Sequence, residues 1–141
     1  MPKISNSKTA SFSAEKIFGI VIDVESYPRH LDFIQRIDIL EKSDALIKAR
    51  VFVGLPVLTF SYDCLIEYKE PEYVKVRLIS GPFKKLYAEW FFNPLSDDSC
   101  EIHYALDSEF KNPIMEMTAG AIFAKQLNQS IKAFLDALKR S

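Results

Sequence analysis

Residue types suited to proton transfer, metal binding or nucleophilic attack are thinly spread in this sequence. It has two histidines, His30 and His103, and two cysteines, Cys64 and Cys100. Neither pair has the spacing of a metal site or a thiol redox motif. No Gly-rich phosphate-binding motif is present. Successive strand residues face opposite ways. Alternation along 100–110 therefore puts His103 on the side of Glu101 and Asp107, away from Cys100, Ile102, Tyr104, Leu106 and Phe110. His30 falls in a short helical stretch. No Ser/His/Asp arrangement emerges. We assign no catalytic residue, no metal ligand and no redox cofactor, and expect a protein that is not an enzyme. The best acid–base groups left are tyrosines, which are weak ones.

The chain has 141 residues, 48% of them hydrophobic and 26% charged, with a formal net charge of −1. That size fits a single domain, residues 1–141, able to bury its own core. The missing basic excess argues against a DNA partner. The first ten residues have no apolar run after their lysine, and no stretch reaches the roughly 18 apolar residues that would span a bilayer. The expected compartment is the cytoplasm, with any membrane contact peripheral and on its inner face. Cys64 and Cys100 both fall in apolar strand patterns and read as buried free thiols.

These residues need elements to position them. Residues 3–11 read as a first strand. Ser13 is placed to cap a helix, with Phe12 and Ile17 at the spacing of a hydrophobic staple. Ile17, Phe18, Val21 and Ile22 carry its apolar face, and Tyr27-Pro28 stops it. Residues 28–34 read as a second short helix. The period then changes to two, giving strands at 36–42, 45–53, 57–69, 72–80, 85–93 and 100–110 separated by turn residues. Asn112 and Pro113 open a long terminal helix whose apolar face is read as Ile114, Met117, Ala121, Ile131, Phe134 and Leu138. The economical solution is α+β: a curved antiparallel sheet around one long helix.

Alternation also assigns the faces. Leu58, Phe60, Tyr62, Cys64, Ile66 and Tyr68 share the inner side of one strand. Val74, Val76 and Leu78 take that side on the next, and Leu86, Ala88, Trp90 and Phe92 on a third. The inner face thus holds Tyr62, Tyr68 and Tyr104 among apolar residues, and no charged side chain from these strands. Their hydroxyls could bond each other, water or a ligand carbonyl.

DVESYPRHLDFI (23–34), SGPFKKLYAEWFFNPLSDDSCEIHYALDSEF (80–110) and the terminal helix resemble the START-domain, polyketide-cyclase-like family. Within it the chain is most similar to coenzyme Q-binding proteins, a branch that also holds bacterial ribosome-association toxins. Ser80 stands where the family motif often has an acidic or amide residue. The resemblance implies a helix-grip fold with a hydrophobic tunnel between sheet and C-terminal helix. It implies ubiquinone or a similar isoprenoid lipid as bound ligand, in support of respiration. On that fold the tunnel wall would be Phe60, Tyr62, Leu78, Leu86, Ala88, Trp90, Phe92, Tyr104 and Leu106, with Met117 and Ala121 from the helix.

A tunnel needs a mouth. Leu55, Pro56 and Val57 make an unusually apolar turn, read either as core or as a gate that touches membrane. On the second reading, Leu55→Asp would weaken vesicle binding without unfolding the protein. Phe83, Lys84 and Lys85 follow the Gly81-Pro82 turn, where the lysines are either a solvated strand start or a basic rim. Burying a CH₂ is worth roughly 0.8 kcal/mol, so ten isoprenoid carbons give on the order of 8 kcal/mol before ordering costs. Three functions follow: an isoprenoid lipid chaperone, a ribosome-binding protein, and a cyclase or hydrolase on an aromatic substrate.

Overall fold

A computed structural model describes residues 3–140. Seven strands form one antiparallel sheet: β1 (Lys3–Ala10), β2 (Ile34–Ser43), β3 (Leu46–Leu55), β4 (Leu58–Lys69), β5 (Tyr73–Ser80), β6 (Phe83–Ser96) and β7 (Ser99–Phe110). Their spatial order is β1-β7-β6-β5-β4-β3-β2. Strands 2 to 7 are a meander on short turns, and β1 closes on β7. Between β1 and β2 lie helix α1 (Ala14–Ile22), a 3₁₀ turn (Val24–Ser26) and the four-residue α2 (Tyr27–His30). After β7 the terminal helix runs as α3 (Pro113–Met115), a π turn (Glu116–Gly120) and α4 (Ala121–Arg140).

The caps form where the sequence places them. Ser13 Oγ accepts from the Lys16 amide at 3.2 Å. Asn112 Oδ1 accepts from the amides of Ile114 and Met115 at 2.8 and 3.2 Å. Each satisfies donors that a helix start leaves unpaired. Tyr27-Pro28 does more than end α1: Tyr27 opens α2. Residues 31–33 are not helical, and β2 starts at Ile34.

The sheet parity holds on β4 to β7, where Tyr62, Cys64, Ile66, Val74, Leu86, Trp90, Tyr104 and Leu106 are all buried. The terminal helix agrees with the sequence only in its second half, where Ile131 and Phe134 are buried and Leu138 packs on the core. Its buried residues are Ala119, Gly120, Phe123, Ala124, Ser130, Ile131, Phe134 and Leu135. Ile114 and Met117 are 71% and 86% exposed, and Ala121 is exposed. The periodicity explains the miss. At about 100° per residue, Ala121 lies roughly 220° round the helix from Phe134, so both cannot face the sheet.

Phe83 is also inside, 1% exposed, although strict alternation from Leu86 would turn it out. The β6–β7 register shifts between Phe83 and Lys85. That bulge adds a residue, returns Phe83 to the core and leaves Lys84 and Lys85 outside. Leu55 is core at 6% exposure, while Val57 beside it is 57% exposed. Leu55→Asp would thus bury a charge and unfold the protein, and it is not a clean probe of membrane contact.

Gly81 sits at φ +145°, where a side chain is strained, and a Cβ there would approach Tyr62 Cβ to 2.7 Å. Gly81→Ala is expected to lower stability by about 1–3 kcal/mol in chemical denaturation. A change within error would show that the turn does not hold Tyr62 in place.

Candidate functional site

The concave side of the sheet is divided into three regions, a ring cluster at one end, a cavity in the middle and the contact with α1 at the other end. At the end where β6 begins and β7 finishes, five rings fill the interior. Phe83 stacks on Phe110 with centroids 4.5 Å apart. Phe60 meets Phe110 edge-on at 5.3 Å and Phe123 at 5.5 Å. Tyr62 meets Phe83 edge-on at 5.4 Å. Beyond Tyr62 the packing opens into a cavity of about 70 Å³.

Leu86, Ala88 and Trp90 from β6, Tyr62 from β4 and Tyr104 from β7 line this cavity, as alignment on one face requires. The remaining expected wall residues lie elsewhere. Phe60 belongs to the ring cluster. Phe92 is buried near α1, 6.1 Å from Phe18. Leu106 is buried and Leu78 half-buried, both away from the lining. Met117 and Ala121 border a groove on the outside with Ile4 and Lys125. Lys84 and Lys85 are not at a cavity mouth either. On the outer face, Lys84 Nζ lies 3.8 Å from Glu109 and Lys85 Nζ 3.2 Å from Asp107.

The sequence reading missed one side of the wall. Tyr27 and Leu31 border the cavity near α2, Ile37 and Val51 come from β2 and β3, and Leu127 and Phe134 come from α4. The signals were present: the Tyr-Pro of residues 27–28, and the spacing of Phe123, Leu127, Ser130 and Phe134 along one helical face. A chain of rings joins the two sides. Tyr27 is 5.1 Å from Phe134, Phe134 is 5.8 Å from Trp90, and Trp90 is 4.5 Å from Tyr104.

Polar groups here are few and similar. Tyr27 Oη donates to the Val21 carbonyl, and Ser130 Oγ to the Leu127 carbonyl. The hydroxyls of Tyr62 and Tyr104 have no hydrogen-bond partner among the described residues. Tyr68, the third inward tyrosine, points to the other end, 6.2 Å from Phe18. Burial raises the pKa of Tyr27, Tyr62 and Tyr104 above the usual phenol range, and for Tyr27 and Tyr62 neighbouring tyrosines and Cys64 add to it. Burial, and then Asp63, pushes the Cys64 thiol up to about 12. At neutral pH these groups are uncharged. They can give and take hydrogen bonds but are poor bases and nucleophiles. Among the described residues, no group of three or more His, Cys, Asp or Glu is placed to hold a metal. No helix among them is long and apolar enough to cross a membrane.

The sequence profile of a family described as polyketide cyclase / dehydrase and lipid transport matches residues 10–135. The chain belongs to this family. It is 34% identical to the persistence and stress-resistance toxin PasT of Escherichia coli O6:H1, over 95% of this chain and 85% of that one. It is 31% identical to the ribosome association toxin RatA of Vibrio cholerae, over 99% and 97% of the two chains. Identity to a mitochondrial coenzyme Q-binding protein of Drosophila melanogaster is 26%, over 96% of this chain and 58% of that one. Among solved structures, a START superfamily protein of Mycobacterium smegmatis superposes with a TM-score of 0.78 at 23% identity, covering 96% and 98% of the chains. The Zhui aromatase/cyclase of a Streptomyces species does so at 0.82 and 12%, covering 99% and 94%. At these identities the structural likeness shows the helix-grip fold, which agrees with the curved sheet and terminal helix.

The raised thiol has a consequence for pH. Unfolded Cys64 ionises near 9 and folded Cys64 near 12. Its contribution is complete below the unfolded value and is lost as pH rises through the folded one. The wild type should lose stability from about pH 9 upward, and Cys64→Ala should flatten that loss. Parallel denaturation curves for the two proteins from pH 8 to 11 would contradict the buried thiol.

Proposed function

We propose that the chain is a binding module for an isoprenoid quinone, held with its ring in the cavity between sheet and α4, and that it carries the lipid without chemically changing it. The observation behind this reading is a pair of unpartnered tyrosine hydroxyls, Tyr62 and Tyr104, in a mostly apolar cavity whose other hydroxyls, Tyr27 and Ser130, already donate to backbone carbonyls. A quinone ring presents carbonyl acceptors on opposite edges and an apolar body, which matches two donors in an apolar wall. The similarity to coenzyme Q-binding proteins supports the same ligand class. The cavity of about 70 Å³ must widen to admit it, since an engineered cavity that holds benzene measures about 150 Å³. The elements available to move are α2, four residues long with no buried residue, and the facing turn of α4 at Leu127. Acid–base turnover is not part of this proposal, because the tyrosines and Cys64 stay protonated.

A second reading is favoured by the identity to RatA, a ribosome association toxin. By it, the outer surface associates with the ribosome. Co-sedimentation with ribosomes at two salt concentrations tests it, since phosphate contacts weaken as salt rises.

Trp90 is the only tryptophan and lines the cavity. A short-chain ubiquinone should therefore quench its fluorescence saturably. Ala88→Leu should fill the cavity and abolish the quenching at a stability cost of about 1–3 kcal/mol, checked by circular dichroism. Tyr62→Phe and Tyr104→Phe should each weaken binding about ten-fold by removing one donor. Quenching unaffected by all three substitutions would sink the ring placement.

A further inference from the structure

The two ends of the sheet differ in chemistry. Strands β3, β5 and β7 all finish at one end, so the β3–β4 turn, the β5–β6 turn and the start of α3 lie there. That end exposes Val57, Ile79, Ile114 and Met117, at 57%, 46%, 71% and 86%. Lys84 and Lys111 are exposed beside them. Glu116 is turned back: its Oε1 accepts from the Phe110 amide at 3.0 Å, and its carboxyl lies against Gly120. Glu109 is largely covered and paired with Lys84. At the opposite end the turns carry Asp44, Glu70, Glu72, Asp97 and Asp98, with no lysine or arginine within residues 44–45, 70–72 or 97–98. Lys42 and Lys69 flank those turns, and the last turn of α4 adds Lys139 and Arg140. Asp32, exposed in the loop before β2, lies at this end as well, so a net charge of −1 conceals an apolar end rimmed by lysines, facing away from carboxylate-bearing hairpins.

We propose that this apolar, lysine-rimmed end docks on an anionic bilayer surface. Val57, Ile114 and Met117 would enter the headgroup and acyl boundary, while Lys84 and Lys111 meet the lipid phosphates. The exposed apolar residues sit on separate projecting pieces, a hairpin tip and a helix start, which suits a deformable bilayer boundary. The flanking lysines match the negative surface of such a membrane. Nucleic acid would explain the lysines and leave the valine, isoleucine and methionine without a role. The purpose of docking rests on the lipid-binding proposal. The five-ring cluster lies just inside this end, and Tyr62 belongs to both the cluster and the cavity wall. Docking would put the bilayer against the rings that separate it from the cavity.

Flotation with phosphatidylcholine vesicles, with and without about a third phosphatidylglycerol, tests the proposal. The wild type should float only with the anionic vesicles and should be released by salt. Ile114→Glu with Met117→Glu, and Lys84→Glu with Lys111→Glu, should each reduce binding at least about ten-fold. These positions are exposed, and circular dichroism checks that the variants fold. Leu95→Glu, at the opposite end and 54% exposed in the wild type, should leave binding unchanged. No flotation of the wild type, full flotation of both double variants, or an equal loss in Leu95→Glu overturns the proposal. Ribosome co-sedimentation that the double variants abolish, without any vesicle binding, also overturns it and reassigns this end to RNA. Trp90 quenching by a short-chain quinone needs no vesicle. Intact quenching with failed flotation therefore removes the docking and leaves the cavity reading standing.

Discussion

A seven-stranded sheet curled over a single helix has more concave apolar surface than one helix can cover. The rest of this structure follows from how that excess is met. At one end, five aromatic rings fill the space, and Phe83 reaches it only because a bulge in β6 turns it inward. At the other end, α1 packs Phe18 against Phe92 and Tyr68. Between them neither rings nor helix close the gap, and a cavity remains. A void in a protein interior forfeits packing contacts, so this one costs stability for as long as it stays empty.

The polar groups at this cavity obey the same constraint. A buried hydroxyl without a partner costs stability. Tyr27 avoids that cost by donating to the Val21 carbonyl, which also ties α2 back to the end of α1. Tyr62 and Tyr104 have no such outlet and keep their donors free at the cavity wall. Their burial keeps them protonated and able to donate a hydrogen bond. The lysines near the start of β6 follow the opposite logic: being long and charged they stay on the outer face, paired with carboxylates of β7.

Much of this architecture was legible in the sequence, because its signals are local and strong. Alternation on β4 to β7 gives the correct inward residues, and Ser13 and Asn112 cap their helices as their types demand. The errors occur where one local rule is broken. The bulge at Phe83 and Lys85 breaks the period of two. On the terminal helix Ile131 and Phe134 face inward as expected, but Ile114, Met117 and Ala121 lie outside, and Phe123 and Leu127 take inward positions. Tyr27 is a different case: Tyr-Pro marks the position, but nothing in one segment announces that its ring meets Phe134 more than a hundred residues later. Contacts of that separation are fixed by the closed fold.

The central claim is that this cavity holds an isoprenoid quinone. Its most direct test is organic extraction of gently purified protein followed by mass spectrometry. The account predicts an isoprenoid quinone bound in stoichiometric amount, enriched over bulk lipid from the same cells. No enriched lipid, even after incubation with ubiquinone-loaded vesicles, would contradict it and leave the cavity as a packing defect.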